Sequence, residues 1–192
     1  MNYFANAGII LVEFVFGILI LLIVLRVLLQ LVRANFHNPI VQFLYKATNP
    51  LLMPLRRFIP GWRRLDVAGV LLAWLLFVIK TALVHAMAGH MPSWPGLLVI
   101  SLADMLGWLL MCVLVLVLVR VVHGFAGSDN RHPIVPLVFQ LTEPVLAPVR
   151  RRLPTPGGID LSPLLVLLVV ALARALVVQP LLDLGLKLGA SA

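Results

Sequence analysis

N-P-I-V-Q-F-L-Y-K-A-T-N-P-L-L-M-P-L-R-R-F-I-P-G-W-R-R-L-D, running from Asn38 to Asp66, decides the fold because the chain contains it twice. From His132 to Asp160 the sequence reads H-P-I-V-P-L-V-F-Q-L-T-E-P-V-L-A-P-V-R-R-R-L-P-T-P-G-G-I-D. Without a gap, 11 of these 29 positions are identical, where chance would supply about two at average residue frequencies. The matches are Pro39/Pro133, Ile40/Ile134, Val41/Val135, Thr48/Thr142, Pro50/Pro144, Leu52/Leu146, Pro54/Pro148, Arg56/Arg150, Arg57/Arg151, Pro60/Pro154 and Asp66/Asp160. The same 94-residue offset pairs Arg26 with Arg120 and Lys80 with Arg174 outside the stretch. The chain is a tandem duplication.

Apolar residues make up 62% of the chain and charged residues 11%, which excludes an ordinary soluble domain. Long apolar runs produce these values, so the sequence predicts a polytopic membrane protein of the all-α class. Four runs are long enough to cross a bilayer: 8–32, 67–88, 97–122 and 163–186. The first repeat then covers 1–96, with loop 33–66 and outer link 89–96, and the second covers 97–192, with loop 123–162. The N-terminal run has no Lys or Arg before Arg26 and is too long for a signal-peptide core, so it reads as a permanent span.

The net charge of +8 is clustered. Arg33, Lys46, Arg56, Arg57, Arg63 and Arg64 fall between spans one and two, and Arg131, Arg150, Arg151 and Arg152 between three and four. Outside these loops, the tails and the central link hold only Lys187. This asymmetry predicts cytoplasmic loops and outward termini, with anionic lipid rather than nucleic acid as the partner of the clusters. Each repeat holds two spans, so the halves share one orientation: two tandem pseudo-symmetric helical hairpins with amphipathic loops.

Within the loops, Asn38-Pro39, Asn49-Pro50, His132-Pro133 and Glu143-Pro144 each set a capping residue before a proline suited to a first helical turn. Two short helices per loop follow from this reading, lying in the headgroup plane with Arg56, Arg57, Arg150 and Arg151 toward phosphates. A re-entrant hairpin is the alternative. Asp66 and Asp160 restart the chain into the next spans, and in the second copy Asp160-Leu161-Ser162-Pro163 reads as a cap after the turn at Gly157-Gly158.

The pattern T-E-P-x-L-x-P-x-R-R-x-x-P-x-x-G-G-x-D-L-S-P, from Thr142 to Pro163, resembles the repeat of the YggT family of small bacterial and plastid membrane proteins. The resemblance covers essentially the whole chain. The first copy departs from it, with Asn49 at the Glu143 position, Arg63-Arg64 in place of the glycine pair, and Val67-Ala68-Gly69 in place of Leu161-Ser162-Pro163. The resemblance implies a bacterial inner-membrane protein of a family that lacks an established catalytic activity, and the sequence offers no convergent ligand set for a cofactor. Its implied settings are osmotic and ionic stress tolerance or membrane-complex biogenesis.

Three sets of residues invite a functional reading. Arg56, Arg57, Arg150, Arg151 and Arg152 form a candidate surface for lipids or a protein partner, against the simpler reading that they only set topology. Within the spans, Glu13, Lys80, Asp104 and Arg174 share the outer third of the bilayer. Pairing is expected across spans, Glu13 with Lys80 and Asp104 with Arg174, or crossed, against outward snorkelling. Arg26 and Arg120 lie near the loop ends of their spans and are expected to snorkel. The five histidines show no metal-ligand spacing. Small residues at Ala171, Ala173 and Ala175 offer a helix contact. The sequence reading is a non-enzymatic organiser of partners or lipids at the cytoplasmic face, acting with a membrane-protein partner or a second copy. An oligomeric solute or ion permease, with the buried charges in its path, is the alternative.

Overall fold

The structure, a computed structural model, describes residues 3–59, 65–126, 132–152 and 160–190. Pro60, Pro154, Gly157 and Gly158 of the repeat motif lie outside the described residues. All elements are helical: α1 Tyr3–Leu31, α2 Pro39–Phe58, α3 Val67–Met87, α4 Trp94–Ala126, α5 Ile134–Arg150, α6 Ser162–Ala173, a π-helical turn Arg174–Val178, and α7 Gln179–Ala190. Four stretches are apolar and long enough to cross a membrane: Tyr3–Leu31, Val67–Met87, Trp94–Phe125 and Ser162–Ala190. Three of these exceed the predicted spans by a few residues at their ends, where sequence patterns fix boundaries least well.

α1 packs along α3, and α4 along α6 and α7. The core repeats with the sequence. Ile23, Leu52 and Leu72 cluster in the first half, and Val117, Leu146 and Val166 occupy the same offset positions in the second. In each half the loop helix therefore inserts one leucine between two spans, at the end where it covers them.

Among the described residues, each loop forms one helix, not two. α2 continues through Pro50 and Pro54, and α5 through Pro144 and Pro148. A proline inside a helix frees the carbonyl four residues earlier and normally breaks the ladder. Here the prolines recur at a spacing of four on the exposed side, so the freed carbonyls stay open to the surroundings. On the opposite side Val41, Leu44, Thr48 and Leu52 are buried, as are Leu137, Val138, Thr142 and Leu146. Burying that side holds the helix together against the local proline signal. Asn38 does cap α2, accepting from the Ile40 amide at 2.9 Å. His132 Nδ1 takes the same role for the Ile134 amide at 3.3 Å, but Asn49 and Glu143 are interior helical residues.

The two loop helices meet. The Asn38 side chain donates to the Pro133 carbonyl at 2.6 Å, and Leu29, Val41, Leu44 and Leu137 cluster beside it. Both proline-arginine segments thus lie at one end of the bundle. At the other end α4 and α7 approach closely through glycines, not through the alanines of α6. Any Cβ on Gly185 would sit 2.9 Å from the Ile100 amide nitrogen, and Gly96 faces Gly189 and the Gly185 carbonyl. Ala171 and Ala175 are exposed. The π turn relieves the clash that Pro180 would cause: Gln179 bonds back five residues to the Arg174 carbonyl.

Candidate functional site

Each half builds an arginine cradle where a span meets its loop helix. Arg26 is fully buried. Its Nη1 donates to Thr48 Oγ1 at 2.6 Å and to the Tyr45 carbonyl at 3.5 Å, and its guanidinium lies 4.2 Å from the Tyr45 ring centroid. In the second half Arg120 donates to Thr142 Oγ1 at 2.8 Å and the Phe139 carbonyl at 3.5 Å, with the Phe139 ring 4.5 Å away. Each threonine hydroxyl in turn donates one turn back, to the Leu44 or Val138 carbonyl. Neither arginine snorkels. The loop helix folds over the end of its span, so the nearest polar atoms are protein atoms.

Differences between the cradles follow from one substitution. Glu143 ion-pairs with Arg120 at 2.8 Å and with Arg150 at 3.3 Å, and Arg150 continues to Asp160 at 2.8 Å. In the first half Asn49 replaces Glu143, and Arg26 Nε and Nη2 are buried without a hydrogen-bond partner. Arg56 still pairs with the buried Asp66 and also reaches Gln30 at 3.2 Å. Asp66 caps α3 through the Gly69 amide, and Asp160 accepts from the Ser162 amide at 2.9 Å. Partial burial acts to raise the Asp160 pKa. The Ser162 hydroxyl and amide and the Arg150 guanidinium outweigh it and hold the carboxyl below its usual value. The hydroxyl acts by proximity, because Ser162 Oγ makes no hydrogen bond of normal geometry.

The expected docking arginines therefore divide. Arg56 and Arg150 are committed to Asp66 and Asp160 and staple the end of each loop helix to the next span. Arg57, Arg151 and Arg152 are exposed. Along the same helix as Arg57, Phe43, Leu51, Met53 and Phe58 are also exposed. Beside the second cradle, Arg120, Val121, Phe125, Phe139, Arg150 and Pro163 line a cavity of about 420 Å³. In the first half Gly69 stands at the Pro163 position, with Val27 packed close against it.

Among the described residues, no salt bridge joins Glu13 or Asp104 to Lys80 or Arg174. Lys80, Asp104 and Arg174 do converge, lining one cavity of about 270 Å³ with Gly107, Met111 and Gln179. Asp104 accepts from Thr81 at 3.3 Å, Lys80 Nζ lies 5.0 Å from the Phe77 ring, and Arg174 donates to Met111 Sδ at 3.8 Å. Glu13 is exposed and does not reach the cavity. Equal depth was legible in the sequence, but the direction around each helix was not. The cradles were missed for another reason: Arg26–Thr48 and Arg120–Thr142 are each 22 residues apart across two elements. A signal was nonetheless present, since both members of each pair recur at the repeat offset.

The CCB3/YggT family model matches the chain twice, over residues 5–87 and 99–181, displaced by 94 at both ends. A protein of Vibrio alginolyticus encoded in a proC 3′ region is 38% identical over 171 residues, covering 86% of this chain and 90% of that protein. A Pseudomonas aeruginosa protein is 35% identical over 181 residues, 92% of this chain and 90% of its own length. Escherichia coli K12 YggT is 37% identical over 152 residues, 78% of each chain. No solved structure matches.

Proposed function

The chain belongs to the CCB3/YggT family, and from that premise we propose that it is a non-catalytic organiser in the bacterial inner membrane. Its paired loop helices dock anionic lipid or a membrane-protein partner at the cytoplasmic face. One observation carries this reading: the arginines of each loop are split between two tasks. Arg56 and Arg150 are neutralised internally, whereas Arg57, Arg151 and Arg152 are left exposed, as are Phe43, Leu51, Met53 and Phe58 of α2. Topology alone needs no such division of labour. A basic and apolar face suits anionic headgroups, at about 1 kcal/mol per basic residue near the surface. Osmotic and ionic stress tolerance, or membrane-complex biogenesis, is the physiological setting of this proposal, taken from the family resemblance.

The test replaces Arg57, Arg151 and Arg152 by Gln in the full chain and measures lipid and protein retained from intact membranes. Impermeant labelling of cysteines introduced into the loops is run in parallel to confirm unchanged topology. Docking predicts loss of retained anionic lipid or of a crosslinked partner. Unchanged retention with intact topology overturns it. The Lys80–Asp104–Arg174 cavity favours the permease as a second reading, and solute flux in proteoliposomes that depends on Lys80 or Arg174 would establish it.

A further inference from the structure

Charge is unbalanced at two places in the spans. The cavity between α3, α4 and the π turn holds two bases, Lys80 and Arg174, and one acid, Asp104. On α1, Glu13 is exposed on a lipid-facing helix, and among the described residues no hydrogen bond or ion pair reaches it. An isolated charge within the bilayer is unfavourable at either place. The surplus at one is opposite to the surplus at the other.

Their depths agree. α1 and α3 run antiparallel, with Gly8 against Met87 and Gly69 against Val27. Counting along both helices from these contacts puts Glu13 within about 3 Å of the level of Thr81. Thr81 is the residue that bonds Asp104 at the cavity. One turn along α1 from Glu13, Gly17 has open space where a Cβ would point, a notch suited to a neighbouring helix.

We propose that Glu13 of one copy of this chain enters the Lys80–Asp104–Arg174 cavity of a second copy. The partner carboxylate balances two bases with two acids, and a two-fold axis along the membrane normal preserves depth, so the exchange is mutual. Within one chain, Lys80 lies by the Phe77 ring and the Asp104 carboxylate and Arg174 by the Met111 sulfur, so two bases share a single acid. The site is therefore incomplete without the second copy. This contact is independent of what the loop helices dock.

The experiment uses full-length chains carrying two different tags, co-expressed in one membrane and treated with dicyclohexylcarbodiimide. This apolar reagent activates a carboxyl so that an amine displaces it as an amide, releasing the urea. A dimer linked Glu13 to Lys80 between differently tagged chains is the expected product. It should fall at least tenfold in Glu13→Gln and in Lys80→Arg. Co-expression of Glu13→Lys with the Lys80→Glu/Arg174→Glu variant should restore tag-to-tag co-purification that neither gives alone. Linkage found only within single chains overturns the proposal, as does absence of any Glu13–Lys80 linkage. If the reversed-charge chains fail to insert, Glu13→Gln decides: a dimer fraction equal to wild type also overturns it.

Discussion

Glu143→Gln in the second cradle, set against Asn49→Glu in the first, tests whether the repeat's acid is what balances the cradle arginine. Glu143 pairs with Arg120, whose side chain is 12% exposed, and with Arg150, while its own side chain is 47% exposed. An exposed ion pair contributes about 0–1 kcal/mol. Removing one partner from a fully buried pair costs about 3–5 kcal/mol. With one partner buried and the other half open, Glu143→Gln should cost about 1–2 kcal/mol. In a chain of this size that lowers the melting temperature by about 2–8 °C. Asn49→Glu should act oppositely. It supplies a carboxylate to Arg26, which is fully buried with two guanidinium nitrogens unsatisfied. Dehydrating the new carboxylate offsets part of the benefit, leaving a rise of about 2–4 °C. Cys112 is the only cysteine and lies half-buried in α4, so a thiol-activated dye reports unfolding without added labels. A Glu143→Gln chain melting within about 1 °C of wild type, or an Asn49→Glu chain melting below it, refutes the reasoning.

Three further outcomes follow from the same geometry. The Asp160 pKa is lower folded than unfolded, so its stabilising contribution is complete above the unfolded value near 4 and is lost as the pH falls through the folded value. Asp160→Asn should flatten the acid limb of a stability-against-pH curve below about pH 4, and an unchanged limb would count against the Arg150–Asp160 staple. Gly185→Ala should destabilise by about 1–3 kcal/mol, since the added methyl meets the Ile100 backbone. Gly17→Ala, with nothing within 4 Å, is the uncrowded control and should stabilise by about 0.5–1 kcal/mol, and equal melting of the two would refute the close approach. Arg33 leaves α1 with φ +54, so Arg33→Gly should stabilise by about 1 kcal/mol, and a lower melting temperature would contradict that.

The sequence revealed what recurs and what is apolar. The duplication, the four long apolar helices and the capping role of Asn38 all came from patterns within a few residues or at a fixed offset. It misjudged what depends on direction. Pro50 and Pro144 read as helix starts because local propensity disfavours interior proline, yet burial of Thr48, Leu52, Thr142 and Leu146 overrides that preference. Arg26 reads as a snorkelling residue because its distance from the span end is known, whereas the helix folding over it is not. Glu13 and Lys80 share a depth, but depth does not fix which way a side chain points around its helix.

The π turn at Arg174–Val178 gives the fourth span a locally wider register before α7. Downstream of it, Gly185 and Gly189 meet Ile100, Pro92 and Gly96. Counting back by the repeat offset, the first half has Met91 and Pro95 in place of those two glycines. The later hairpin is therefore closed at its far end by backbone against backbone, and the earlier one there by Gly8 against the flexible Met87 side chain. Amide exchange should follow that inequality, with the open end of α1 exchanging well before the open end of α7.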